Sequence, residues 1–69
     1  MKYLIEITKT ETGYSAHFPD VPGVFTVGNT LEEVKEHAKE ALELHLQGFK
    51  EDGIEPPLPL TESMWVEVA

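Results

Sequence analysis

Alternating hydrophobic and polar positions in the first part of the chain predict an antiparallel meander of three strands. Residues 3–8 alternate with the period of a half-buried strand, and residues 14–18 do so again after the turn cluster at 10–13. The proline-rich stretch 19–23 ends the second strand, because proline cannot donate to a sheet ladder. Residues 24–27 form the third strand.

Beyond the third strand the apolar period changes from 2 to 3.6, which predicts a helix. Thr30 and Glu33 have the spacing of a capping box, so the helix begins there. Apolar residues then share one stripe as far as Phe49, and Gly53 suits the position just past the end, which gives about 20 residues or about 30 Å. Gly48 costs up to about 1 kcal/mol relative to alanine inside a helix. It indicates either a packing need for a small residue or early fraying.

The end of the chain predicts one more strand. Residues 55–59 contain three prolines and must be extended, since each proline biases the preceding residue toward β or polyproline geometry. Residues 64–68 alternate again. A right-handed crossover would place this strand parallel to the first. We therefore expect one α+β domain over residues 1–69, in the order β-β-β-α-β, with a four-stranded sheet and one helix packed on one face.

Composition indicates a partner of opposite charge. The chain has 13 acidic residues against 5 lysines, no arginine and no cysteine, and its formal net charge is −8. This charge repels phosphate backbones, so direct nucleic-acid binding is not expected. A basic protein partner suits it, although solubility alone explains the acidity equally well. A chain this short has a thin core and, without disulfides, gains stability most simply by oligomerisation.

The compartment can also be predicted. No apolar run approaches the roughly 20 residues of a membrane span. Met1 and Lys2 lead directly into an apolar strand instead of a signal peptide, and the lack of cysteine is compatible with a reducing compartment. We expect a cytoplasmic protein.

Candidate catalytic acids are few. Glu6, Asp20 and Glu67 are the acids near predicted strands, and most others line the exposed side of the helix, so a two-metal nuclease site is not expected. Asp20 stands between two prolines and is more simply explained as an acceptor of backbone hydrogen bonds within its own turn.

The three histidines do not predict a metal site or a nucleophile. His37 and His45 are eight positions apart, not four as in an HExxH motif. His45 is best explained as a core or interface residue with one satisfied nitrogen. His17 shares the open sheet face with Ser15, but no acid is visibly placed to orient it, so a nucleophilic dyad is not expected. We predict no enzyme activity, no metal and no cofactor.

Three runs stand in a fixed order along the chain: FPDVPG at 18–23, GNTLEE at 28–33 and AKEALEL at 38–44. Together with Gly53 and the proline-rich return, they resemble the HicB-like antitoxin family over nearly the whole chain. The resemblance implies a partial ribonuclease-H-like fold of the same β-β-β-α-β order. It also implies that the protein binds and masks HicA, a small basic toxin that cleaves messenger RNA and has a double-stranded-RNA-binding fold. The negative charge of this chain and the positive charge of such a toxin would favour their association.

The resemblance has one departure. Family antitoxins usually carry a helix-turn-helix or ribbon-helix-helix segment after this domain, which binds their operator, whereas this chain ends at Ala69. We therefore expect a short, stand-alone member without operator binding. The alternative function is an oligomeric protein-binding domain with no toxin partner, and a degenerate metal-dependent nuclease is a third, disfavoured interpretation.

Charge and exposure select the candidate contact residues. For the toxin these are His17, Asp20, Glu32, Glu36, Glu40 and Glu43. A homodimer or homotetramer interface is expected to include Leu4 on the open sheet face, Leu44 at the margin of the apolar stripe, and Trp65 as an aromatic anchor.

Overall fold

The three strands predicted near the start of the chain form an antiparallel meander. The computed structural model describes residues 1–69, with strands β1 (Glu6–Lys9), β2 (Tyr14–His17) and β3 (Phe25–Gly28), followed by helix α1 (Leu31–Glu51). The sheet order is β1-β2-β3, so β2 is central and both other strands have a free edge. The fold is α+β, with three strands and one helix.

The strand register defines two sheet faces. Ala16 on β2 stands opposite Ile7 on β1 and Thr26 on β3, and this row faces the helix. The next row, centred on His17, faces away from the helix because side chains alternate across a strand. We call this second side the outer face. It carries Glu6, Thr8, Ser15, His17, Phe25 and Val27.

A capping box starts the helix at the predicted place. The Thr30 hydroxyl accepts a hydrogen bond from the Glu33 backbone N–H at 3.0 Å, and the Glu33 carboxylate accepts one from the Asn29 N–H at 3.1 Å. These two bonds satisfy donors that a helix N-terminus leaves free. Immediately before the cap, a Cβ on Gly28 would lie 2.5 Å from the backbone nitrogen of Val34. Only glycine therefore allows β3 and α1 to approach so closely.

The helix ends just before Gly53, as predicted, and the ending is a Schellman motif. Gly53 adopts a positive φ of 70°, and the Ile54 N–H donates to the Phe49 carbonyl at 2.8 Å while the Gly53 N–H donates to the Lys50 carbonyl at 3.2 Å. Glycine adopts this left-handed conformation without a Cβ penalty. The helix runs through Gly48 without fraying, and no atom lies within 4 Å of a Cβ built there. Packing within the chain therefore does not require Gly48 to be small.

The core is thin. Six apolar side chains are buried, drawn from β2, the loop between β2 and β3, and the first half of the helix: Ala16, Phe18, Val21, Val24, Val34 and Ala38. The helix packs on β2 and β3, and its C-terminal half extends past the four-residue strands. None of the chain's helices is both long enough and apolar enough to cross a membrane.

The predicted fourth strand does not form, and the sheet has three strands. The polypeptide returns from the helix to the start of the chain, where the Tyr3 hydroxyl donates to the Pro57 carbonyl at 2.6 Å. Residues 62–69 then continue without regular structure, and no backbone hydrogen bond joins them to β1. Alternation indicates that a segment suits a half-buried strand, but it does not supply a paired edge.

Candidate partner-binding surface

Four glutamates predicted to bind a partner lie together on the helix. Glu32, Glu36, Glu40 and Glu43 are spaced four, four and three positions apart, which places them on one side of α1. All four are exposed, on the side of the helix opposite the buried Val34 and Ala38. We call these four residues the acidic stripe. It places four carboxylates on the side of the helix that is directed away from the sheet.

Asp20 is not part of the acidic stripe, because it holds the returning chain. Its Oδ2 accepts the backbone N–H of Thr61 at 3.0 Å, and its Oδ1 accepts the Thr61 hydroxyl at 2.7 Å. These bonds lower the pKa of Asp20, the backbone N–H contributing most and the hydroxyl next. Asp20 does accept hydrogen bonds, as predicted, but the prediction that the donors lie within its own turn is wrong. The donor residue, Thr61, lies 41 positions further along the chain, so sequence rules for local turns could not identify it.

His17 lies on the outer face, on the other side of the sheet from the helix. Its Nε2 is 3.9 Å from Oε1 of Glu6, the cross-strand neighbour that the hairpin register places opposite it. The expectation that no acid stands near His17 is therefore wrong. Glu6 is eleven positions away in sequence, and only the pairing register of β1 with β2 places it next to His17. Both side chains are half exposed, so their mutual attraction is weak. The residues predicted to bind the toxin thus divide between two sides of the molecule.

The residues predicted for an oligomer interface are also separated. Leu44 is 72% exposed and lies one helical turn beyond Glu40, beside the acidic stripe. Leu4 is half-buried near the sheet edge, and Trp65 is 100% exposed in the C-terminal segment. Leu44 borders an open apolar groove that continues to Phe49 at the end of the helix.

His45 lines the same groove, and its ring meets the edge of the Phe49 ring, with centroids 4.9 Å apart and planes at 90°. No hydrogen bond within the chain reaches either nitrogen of His45, so the expected satisfied nitrogen is not found. Aromatic packing in the T-shaped arrangement positions this side chain instead.

The outer face also carries two exposed apolar residues that were not predicted as contact residues. Phe25 is 67% exposed and Val27 is 59% exposed, both on β3. The signal was present in the sequence, since three of the four residues at 24–27 are apolar and both faces of this strand therefore carry apolar side chains. Together with His17, which stands opposite Phe25, they make the outer face partly apolar.

His37 closes the free edge of β3. Its Nδ1 donates to the Val27 carbonyl at 2.8 Å, which requires the proton on that nitrogen. An edge strand carries unpaired backbone groups that can template pairing with another chain, and a side-chain bond to one of them opposes such pairing. No group of three or more histidine, aspartate or glutamate side chains in residues 1–69 is arranged to hold a metal ion.

Comparison with known proteins identifies the family. The family model described as the HicB-like antitoxin of bacterial toxin–antitoxin systems matches residues 3–67. A 14.9 kDa protein of Haemophilus phage HP1 is 47% identical over 57 residues, which cover 83% of this chain and 43% of that protein. Antitoxin HicB 2 of Photorhabdus laumondii is 38% identical over 69 residues, which cover 99% of this chain and 50% of that protein. The chain thus spans half or less of the length of these two relatives.

A solved structure shares the fold. A chain of a HicA3 and HicB3 toxin–antitoxin complex superposes with a TM-score of 0.72 and 35% sequence identity, covering 87% of this chain and 70% of that one. Sequence and structure comparisons therefore agree with the resemblance found in the three sequence runs. This chain belongs to the HicB-like antitoxin family.

Proposed function

We propose that this chain binds a small, basic HicA-type toxin and prevents messenger-RNA cleavage by covering the toxin's active surface. It acts in the cytoplasm as a binding protein and not as an enzyme. The observation that carries the proposal is the likeness to a chain from a HicA3 and HicB3 complex, at a TM-score of 0.72 and 35% identity. The partial ribonuclease-H-like arrangement belongs to the same proposal, supported by the β-β-β-α order of the elements.

The charge distribution supports a basic partner. The formal net charge is −8, and the acidic stripe presents four exposed carboxylates in one line. A surface of this kind raises the encounter rate with a positively charged protein and disfavours nucleic acid. Leu44 adds an exposed apolar side chain beside the stripe, and interfaces commonly combine an apolar centre with a charged rim.

His17 and Asp20 complete the proposed contact set. His17 would contribute through the outer face, where Phe25 and Val27 also lie exposed. Asp20 would contribute next to the segment that it holds through Thr61. A partner that reaches these residues as well as the acidic stripe must extend around the molecule, whereas a smaller partner would use one side only.

The chain also self-associates in this proposal, as a homodimer or homotetramer. Leu4, Leu44 and Trp65 are the residues assigned to that interface. Support comes from the thin core and from apolar side chains left exposed, Leu44 and Trp65 among them. Burial of such side chains between copies contributes about 25 cal/mol per Å² of apolar area.

Inhibition of toxin activity tests the proposal. A HicA-type toxin would be purified and its cleavage of messenger RNA measured with and without the chain, at low and moderate salt. The double variant Glu36→Lys/Glu40→Lys changes the acidic stripe, and Glu11→Lys/Glu55→Lys makes the same change of charge at exposed positions elsewhere. We expect inhibition by the natural chain, weakened by salt, and a larger loss for the stripe variant than for its control.

Two outcomes would contradict parts of the proposal. Equal inhibition by both double variants would show that the acidic stripe is not the contact surface, and His17→Ala would then test the outer face. Failure of the natural chain to bind or inhibit that protein would favour the alternative of an oligomeric protein-binding domain without a toxin.

A further inference from the structure

The C-terminal segment has the sequence pattern of a strand but lies uncovered. Met64, Val66 and Val68 alternate with Trp65 and Glu67, and every apolar member is more than three-quarters exposed. No backbone–backbone hydrogen bond involves residues 62–69. The segment therefore has both unpaired backbone groups and apolar side chains that another surface can cover.

The exposed area of the whole chain is larger than a compact monomer requires. A compact protein of 7.7 kDa exposes about 4,300 Å², whereas this chain exposes 5787 Å². The excess of roughly 1,500 Å² exceeds the ~800 Å² that each partner buries in a standard interface. The radius of gyration of 13.6 Å also exceeds the ~11 Å of a compact domain of this length. The exposed surface area beyond that of a compact monomer is therefore large enough for the interface of a stable dimer.

The two free edges of the sheet differ. On β3, the Val27 carbonyl already accepts the bond from His37, which obstructs pairing there. On β1, no side chain bonds the free edge of the strand. Backbone pairing with an incoming strand is therefore available at β1.

The apolar side of β1 also lacks a cover. Ile7 faces the helix side of the sheet, but the helix packs on β2 and β3, so Ile7 stays 40% exposed. A strand paired alongside β1 would place alternate side chains next to Ile5 and Ile7. The apolar set Met64, Val66 and Val68 has the required spacing for that position.

Within its own chain the segment does not use this edge. Thr61 is held by Asp20, and residues 61–65 pass residues 4–6 across an open gap. Beyond Thr61, seven extended residues reach about 23 Å, which is enough to cross to a neighbouring copy. If two copies exchanged these C-terminal segments, each segment would pair with the free β1 edge of the other copy. A single two-fold axis would relate the two contacts, so both edges would be paired and both segments covered.

We propose that the chain dimerises by strand exchange, in which residues 62–68 of each copy pair with the free edge of β1 in the other. The added strand in each sheet then comes from the second copy and not from its own chain. Met64, Val66 and Val68 cover the exposed side of Ile5 and Ile7, while Trp65 lies on the outer face. This proposal rests on the proposed self-association and does not depend on the toxin.

Single proline substitutions test the exchange. Successive N–H groups of a strand point to opposite edges, so either Val66→Pro or Glu67→Pro must remove a donor from the new ladder. Leu58→Pro is the matched control, because it adds a proline at an exposed apolar position within a segment that is already proline-rich. Sedimentation gives the mass of each protein, and Trp65, as the single tryptophan, reports its own burial by fluorescence.

We expect the natural chain and the control to sediment at twice 7.7 kDa, with emission of Trp65 shifting to shorter wavelength as concentration rises. At least one of the two proline variants should dimerise about tenfold or more weakly. A dimer unchanged in both proline variants would overturn the proposal, as would a monomer in which Trp65 is buried at all concentrations. Toxin inhibition is measured separately, so a monomer that still inhibits would overturn the exchange and the proposed self-association but leave the proposed toxin binding standing.

Discussion

The carboxylate of Asp20 accepts two hydrogen bonds from Thr61, one from the backbone N–H at 3.0 Å and one from the hydroxyl at 2.7 Å. This contact joins the loop after β2 to the returning C-terminal segment. It determines where residues 62–69 leave the domain, at the level of residues 4–6 beside β1. The run FPDVPG at 18–23 thus contains a residue whose role becomes visible only once the chain has folded back.

Loss of this contact should lower stability in a pH-dependent manner. The bonds from Thr61 lower the pKa of Asp20 below its ordinary value of 3.8, so folding favours the ionised carboxylate. The resulting stabilisation is fully present above the unfolded-state pKa and is lost as pH falls through the lower, folded-state pKa. We expect the Asp20→Asn variant to unfold at a lower urea concentration than the natural chain at pH 7. Below pH 3.8 the free energy of unfolding should fall less steeply for the variant than for the natural chain.

The control for this experiment is Glu55→Gln, which removes an exposed carboxylate that makes no hydrogen bond within the chain. Urea unfolding followed between pH 7 and pH 2.5 compares the three proteins. If Asp20→Asn matched the control at every pH, the contact with Thr61 would contribute nothing to folding.

Two glycines should respond in opposite directions to alanine. At Gly48 a new Cβ meets no atom within 4 Å, so alanine should raise the free energy of unfolding by about 0.5–1 kcal/mol through helix propensity. At Gly28 the Cβ would lie 2.5 Å from the backbone nitrogen and 2.8 Å from the Cα of Val34. Gly28→Ala must separate β3 from α1 and should destabilise by several kcal/mol, about as much as a severe core defect.

Guanidinium unfolding of the two alanine variants checks this pair. A destabilised Gly48→Ala protein would mean that the site needs a small residue after all. Because Gly48 lines the groove beside Leu44, the interface of an oligomer is where that requirement would arise.

Thr26 offers a stabilising substitution. Its hydroxyl is buried on the helix-facing side of β3 and has no hydrogen-bond partner in the chain. Thr26→Val replaces the hydroxyl with a methyl group and should raise the free energy of unfolding by about 1 kcal/mol, because an unsatisfied buried polar atom is removed. Thr26→Ser keeps the hydroxyl and loses the methyl group, so it should destabilise. Thermal unfolding would contradict the argument if valine proved no more stable than threonine.

The hydrogen bond from His37 to the Val27 carbonyl should be worth about 0.5–1.5 kcal/mol. His37→Ala removes the bond and also frees the β3 edge, so aggregation should increase along with the loss of stability. Gln47→Ala is the control, since Gln47 is an exposed helix residue remote from the sheet edge. Light scattering and chemical unfolding measure the two effects separately, and equal behaviour of both variants would exclude an edge-closing role.

Local patterns predicted most of the fold. The meander, the capping box at Thr30 and the Schellman ending at Gly53 each depend on contacts within a few residues, which short-range geometry determines. The clustering of the acidic stripe likewise follows from helical spacing alone. The strand boundaries differ from the predicted ones by up to three residues, because strand ends depend on which neighbours pair.

The errors concern contacts between distant positions. Residues 64–68 alternate as a strand does, but pairing depends on an available edge, and the chain's own path leaves the segment beside β1 without bonding it. The pair of Glu6 with His17 required the hairpin register, and the exposure of Phe25 required knowing that no layer covers the outer face.

The amino-acid sequence by itself therefore determined the order of the first four elements, the helix limits, the acidic character and the family. Tertiary structure alone decided that the sheet stops at three strands, that Asp20 binds Thr61, and that His17 and the acidic stripe face opposite ways. The physical reason is the separation along the chain of the residues that make each contact. Caps, turns and periodicity are set by neighbouring residues, whereas pairing and burial depend on which surfaces meet after the chain has folded.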